Sequence, residues 1–168
     1  DLSGLKVRTM QNNLYIDLFN GLGANAVPMP VNELFTALET RAVDAQENPF
    51  TVVHAQKFYD VQKYLSTTGH AYDALVLIAG KKFWDGLPAD VRDQLTQAMK
   101  LSTFYANQIA QDENDLALEG VKKSGKTTIY PPSKEERMAL KKALVPVHEK
   151  MAERVGKETI QEVYKATG

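Results

Sequence analysis

Residues 5–30, LKVRTMQNNLYIDLFNGLGANAVPMP, change their hydrophobic period twice within one short stretch. Leu5 and Val7 alternate with Lys6 and Arg8, which is the two-residue period of a strand. Leu14, Leu18, Phe19 and Leu22 then recur at helical spacing, and Gly21 and Gly23 predict the stop. Ala24 to Pro30 returns to a strand pattern closed by Pro28 and Pro30. Strand, helix and strand in immediate succession predict an α/β layer structure.

Downstream residues continue the alternation. Asn32 is expected to cap a helix carrying Leu34, Phe35 and Leu38, and Ala42 to Ala45 is a short strand candidate. Pro49 is expected to open a helix that runs to about Gln62, because proline suits the first helical position. Leu75 to Ala79 is a continuous apolar run, predicting a central strand buried on both faces. Beyond Pro88 the residues Val91, Leu95, Ala98, Tyr105 and Ile109 keep helical spacing, and neither Gly nor Pro intervenes until Gly120. A helix of about thirty residues would span roughly 45 Å, longer than a compact lobe of this size needs. Lys126 to Tyr130 predicts a last strand before Pro131 and Pro132, and Ser133 with Glu136 forms a capping box for an amphipathic helix that Pro146 should kink or split.

Composition excludes several functions. Lys and Arg number 20 against 21 Asp and Glu, so no global field favours nucleic acid or an anionic membrane surface. Cysteine is absent, which removes disulfides, thiolate metal sites and thiol nucleophiles, and is compatible with an oxidising compartment. No apolar run reaches the roughly 18 residues of a spanning helix. The sequence begins at Asp1 without an initiator Met or a signal-peptide pattern and enters a strand almost at once, which reads as a processed or truncated start.

One motif matches letter for letter: Gly120-x-x-x-x-Gly125-Lys126-Thr127 satisfies the phosphate-binding loop pattern of a nucleotide-binding enzyme. That loop needs a strand before the glycines and a helix after Thr127, whereas this sequence predicts the reverse, so a glycine-terminated helix and a turn is the preferred reading. His54, His70 and His148 lack the spacing of a metal pair and read as surface or packing residues; no cofactor is expected. Asp44 and Glu47 read as turn or cap residues rather than paired catalytic carboxylates. A third reading, a helical interaction protein built on the long helix, requires that Leu5 to Arg8 and Leu75 to Ala79 not be strands.

Two residues suit an anion. Arg8 ends the first strand, where ligands gather in open α/β sheets, and its planar guanidinium matches a carboxylate bidentately. Asn48 precedes Pro49 at the positive end of a predicted helix. If their strands are parallel neighbours, both face one crevice. A strand-edge salt bridge and a plain helix cap remain the alternatives for these two residues.

Six ordered blocks carry a family resemblance: Leu2-x-Gly4-Leu5-Lys6-Val7-Arg8, Leu22-Gly23-Ala24-Asn25, Pro28-Met29-Pro30, Glu33-Leu34-Phe35-x-Ala37-Leu38, Val43-Asp44-x-Gln46-Glu47-Asn48-Pro49, and Gln56-Lys57-Phe58-Tyr59-x-Val61-Gln62-Lys63-Tyr64-Leu65. Together they resemble the second lobe of the solute-binding proteins of tripartite ATP-independent periplasmic (TRAP) transporters, the dicarboxylate-binding DctP-like family. The resemblance runs from Leu2 through Pro88 and more loosely to the end. It implies a non-enzymatic periplasmic protein of two α/β lobes that delivers a small organic-acid anion to membrane permease subunits. On that basis residues 1–87 are a ligand-binding lobe, 88–122 a long helix bracing both lobes, and 123–168 a last strand with a helical C-terminal tail. The resemblance implies too that the N-terminal lobe lies outside this chain. The resemblance also implies that Arg8 grips the ligand carboxylate, that Asn48 adds a hydrogen bond, and that Gln11, Val31, Tyr72 and Asp73 line the pocket. Relatives usually have glycine where Ala45 stands, and many have an aromatic residue where Val31 stands. Met10 to Tyr15 is closer to members that take short dicarboxylates than to those that take sugar acids.

Overall fold

The computed structural model describes residues 2–167, and its first elements form a three-stranded parallel sheet. Strand β1 (Lys6–Thr9) is central, flanked by β2 (Asn25–Pro28) and β3 (Ala45–Gln46). Helix α1 (Asn13–Gly21) links β1 to β2, and α2 (Val31–Glu39) carries the chain back past β1 to β3. Right-handed crossovers running in opposite directions put their helices on opposite faces of a sheet. Packing follows that rule. Val7, level with Ala26 and Ala45, packs with Leu18, Phe19, Leu144 and Val147. Arg8 lies level with Val27 and Gln46 on the other face, where Val27 meets Leu34, Leu38, Val53, Phe58 and Val121.

After β3 come the short helix α3 (Phe50–Ala55), a 3-10 turn (Phe58–Asp60) and strand β4 (Tyr64–Ser66). Helix α4 (Lys81–Asp85) precedes α5 (Ala89–Ser124), whose 36 residues extend about 54 Å at 1.5 Å each. Strand β5 (Thr128–Tyr130) pairs in parallel with β4, and α6 (Lys134–Val155) and α7 (Lys157–Thr167) close the chain. The Ser133–Glu136 capping box is present in full.

The structure corrects several expectations. Leu75 to Ala79 forms no strand, and Leu75 and Ile78 are 97% and 85% exposed. A strand buried on both faces needs sheet neighbours, and among the described residues no strand reaches this run. Asn32 does not cap α2: Pro30 holds the cap position, and Val31 is already helical. Pro49 likewise takes the cap position before Phe50, so Asn48 lies one residue before the cap of α3. That helix ends at Ala55 rather than near Gln62, because Lys57 adopts a left-handed backbone (φ 54°) that turns Phe58 into the core. The third strand is Ala45–Gln46 rather than 42–45, and β4 had no strand-like pattern of its own. Pro146 does not split α6, which runs unbroken to Val155 and stops before Gly156. The buried side chains Leu144 and Val147 on either side of it offset the lost backbone donor.

Candidate ligand site

The crevice is fixed by topology. From the C-terminal end of β1 the chain leaves toward β2, and from β3 it leaves the other way into α3, so the strand order reverses between these neighbours. Such a switch point opens a crevice outside the carboxyl ends of parallel strands. Arg8 and Asn48 stand on its two sides, because β1 and β3 are indeed parallel neighbours. Gln11 follows β1 and Val31 follows β2; both are exposed.

Arg8 is 4% exposed. Its Nε and Nη2 both donate to the Met29 carbonyl, at 3.0 and 2.8 Å. One side of the fork is therefore occupied by backbone, and Nη1 has no acceptor among the described residues. Among the described residues Arg8 makes no salt bridge, and its strand is central rather than an edge. Burial lowers the Arg8 pKa from its ordinary value, and the nearby Glu47 carboxylate opposes that shift. Asn48 does not act as a helix cap; its side-chain amide donates to Gln46 Oε1 at 2.6 Å.

Behind Asn48 lies a cavity of about 1110 Å³. Glu47, Asn48, His70, Tyr72 and Asp73 help to line it, whereas Arg8, Gln11 and Val31 stand at the strand ends. Glu47 is buried, with Oε2 3.6 Å from His70 Nε2, and its Oε1 has no hydrogen-bond partner among the described residues. The His70 ring meets Phe19 edge-on, and its Nδ1 pairs with Thr68 Oγ1 at 2.7 Å. Tyr15 donates its hydroxyl to Asp73 at 2.5 Å, and burial first, then Asp73, pushes its pKa up. Tyr72 is 93% exposed. Glu47, His70 and Tyr15 were not among the residues that sequence reasoning assigned to the site. The usable signal was the position of Glu47, since an acid at the end of the strand beside a buried arginine is that arginine's natural counter-charge.

The glycine-rich match has no phosphate loop around it. Helix α5 continues through Gly120 to Ser124, Gly125 caps it in a left-handed conformation (φ 66°), and β5 follows. Gly120 is instead a point of close approach, for a Cβ there would lie 2.5 Å from His54 Nε2. The helical-interaction reading fails as well, because Lys6–Thr9 is a strand. Among the described residues no cluster of His, Cys, Asp and Glu is arranged to hold a metal, and no helix is long and apolar enough to cross a membrane.

A switch-point crevice with a buried arginine at the carboxyl end of its central strand suits a small anionic ligand. The chain belongs to the family of bacterial extracellular solute-binding proteins, family 7, which matches residues 1–155. This is a family of transport proteins rather than enzymes. The C4-dicarboxylate-binding periplasmic protein DctP of Rhodobacter capsulatus is 44% identical over 167 residues, 99% of this chain and 50% of that protein. A TRAP periplasmic solute-binding protein from Shewanella oneidensis, solved with bound succinate, superposes with a TM-score of 0.92 at 32% identity, over 100% of this chain and 55% of that one. The sugar-acid-binding protein DctPAm from Advenella mimigardefordensis, in complex with galactonate, gives a TM-score of 0.89 at 41% identity over 99% and 53% of the two chains. The fold is thus that of TRAP periplasmic solute-binding proteins, and the chain spans about half the length of the relatives it matches.

Proposed function

We propose that this chain is the second lobe and C-terminal tail of a TRAP solute-binding protein that closes on a small organic-acid anion and hands it to a membrane permease. Arg8 is the anion anchor in this reading. The supporting observation is its geometry: a buried guanidinium at the switch point, fixed by the Met29 carbonyl, with its Nη1 end uncommitted. Preset donors of this kind bind a carboxylate without first losing conformational freedom. Asn48 stands across the crevice as a second donor, with Gln11, Val31, Tyr72 and Asp73 around it. Residues 1–87 form the lobe, 88–122 the brace and 123–168 the tail. The missing N-terminal lobe covers the apolar run at 75–78 and the exposed face of α5. A short dicarboxylate is the preferred ligand, because Val31 adds no ring for stacking and the Met10–Tyr15 stretch resembles dicarboxylate-binding relatives.

The test is a thermal-shift and calorimetric panel of succinate, L-malate and galactonate on the two-lobed protein. A ligand that binds only the folded state raises the apparent melting temperature. Succinate or malate should give the larger shift. Replacing Arg8 by Lys removes the fork while keeping the charge, and should weaken binding about tenfold or more, a loss of about 1.4 kcal/mol. Unchanged affinity in Arg8→Lys would remove the anchor role, and a response to galactonate alone would reverse the ligand preference.

A further inference from the structure

The segment 67–73 carries three of the groups that surround the cavity, His70, Tyr72 and Asp73, yet it belongs to no helix or strand. Its place is set by contacts at both ends. At the far end Asp73 accepts the Tyr15 hydroxyl, and in the middle His70 sits against Phe19 and Glu47. At the near end, one side chain from another element holds the backbone. Arg137, in the first turn of α6, donates from Nη2 to the Thr67 carbonyl at 2.9 Å and from Nη1 to the Thr68 carbonyl at 2.9 Å. Its Nε donates to the Pro132 carbonyl at 3.3 Å, which ties the guanidinium to its own helix start.

That root is itself anchored. Ser133 and Glu136 close the capping box immediately before Arg137, and Glu136 also accepts the Tyr130 hydroxyl at 2.6 Å. The next residue along the held segment is Gly69, whose backbone is left-handed (φ 58°) and whose missing Cβ would stand 3.5 Å from Arg137 Nη1. The chain therefore turns around the guanidinium and then delivers His70. Three donors in one rigid plane meet three carbonyls, which an ammonium on a flexible stem does not reproduce.

We infer that Arg137 is a positioning residue for the ligand site: from α6 it fixes the 67–68 backbone, and so sets where His70 and Asp73 stand in the crevice. The inference rests on the carboxylate-binding reading above, and gives Arg137, which also lines the cavity, a role through the groups it positions. A purely structural role would lower the melting temperature and leave affinity, measured well below it, unchanged. A positioning role changes affinity and loosens one segment.

The experiment uses the two-lobed protein and two readouts, succinate and L-malate affinity by calorimetry and backbone amide exchange by mass spectrometry. Arg137→Ala should raise the dissociation constant of the bound acid about tenfold and speed exchange of peptides covering 67–73, with those covering β1 and β2 unchanged. Lys150→Ala is the control, since it breaks a different contact of α6, the ion pair with Asp17, and should leave both readouts as they are. Faster exchange with affinity within about twofold of wild type would make Arg137 structural and overturn the inference, as would no change in either. If Arg137→Ala does not fold, Arg137→Lys is judged on the same two readouts. If the wild-type protein binds neither acid, the carboxylate reading has failed first, and the inference falls with it.

Discussion

Along α5 the same apolar spacing meets two environments. Near its C-terminal end Ala117 and Val121 are buried, and Val121, completely so, joins the cluster of Leu34, Val53 and Phe58. Toward the middle Leu101, Phe104 and Tyr105 repeat the pattern but stand in the open, Phe104 at 64% exposure. The run 75–78 behaves like the middle of α5, and Leu77 joins Leu95, Met99 and Phe104 around a cavity of about 600 Å³. Hydrophobic spacing therefore records that a face is to be covered, and not which part of the chain covers it.

The largest expected effect follows from that contrast. Leu34→Ala deletes a fully buried side chain and should cost about 2–5 kcal/mol of unfolding free energy. Phe104→Ala, a larger truncation, should change the stability of the 168-residue chain by less than about 0.5 kcal/mol, as at other open surface positions. In the two-lobed protein the same Phe104→Ala should approach the cost of a buried deletion. Chemical denaturation of both variants in both contexts checks this. An equally small cost of Phe104→Ala in the longer protein would show that the open face of α5 is not a lobe contact.

What was legible in the sequence follows the same division. Elements set by local period and local chemistry were read well: β1, α1, β2, the Ser133 capping box and α5. The 75–79 strand was misread because its continuous apolar pattern says nothing about whether a neighbouring strand is present. Asn48 was expected to cap a helix, but a proline in the cap position moved it out of α3 and into a hydrogen bond with Gln46. The contacts of Glu47 with His70, and of Tyr15 with Asp73, were not legible at all. They join residues 23 and 58 positions apart, and only the folded path of the 67–73 segment brings them together.

A smaller effect tests the buried end of α5 from the opposite direction, by adding volume. Alanine exceeds glycine in helix propensity by about 1 kcal/mol, so Gly120→Ala would stabilise an isolated helix. In the folded chain the new methyl would meet the His54 ring, which stacks on Tyr59 with centroids 6.1 Å apart. Overpacking of this kind costs about 1–3 kcal/mol, so Gly120→Ala should be destabilising on balance. Removing the ring should reverse the sign: in a His54→Ala background the Gly120→Ala change should be neutral or stabilising. A double-mutant cycle by urea denaturation reads the coupling directly. No coupling between the two sites would mean that α3 is not held against α5 at Gly120.

The smallest effect concerns the surface of the packed region, where Glu136 joins β5 to the start of α6. Its carboxyl pKa is lowered from the ordinary value, first by the Tyr130 hydroxyl and then by the Ser133 backbone amide. A carboxyl whose folded pKa lies below its unfolded one contributes stability above the unfolded value, about 4.3, and loses it as pH falls through the folded value. Wild type should therefore exceed Glu136→Gln in stability near pH 6, and the gap should close as pH is lowered toward about 3. Using the difference between the two proteins cancels the titration of every other carboxylate they share. Tyr130→Phe removes the larger of the two causes and should flatten the same acid limb while leaving the capping box intact. A wild-type to Glu136→Gln gap that stays constant across this range would mean that the Tyr130 and Ser133 contacts do not hold the charged form in solution.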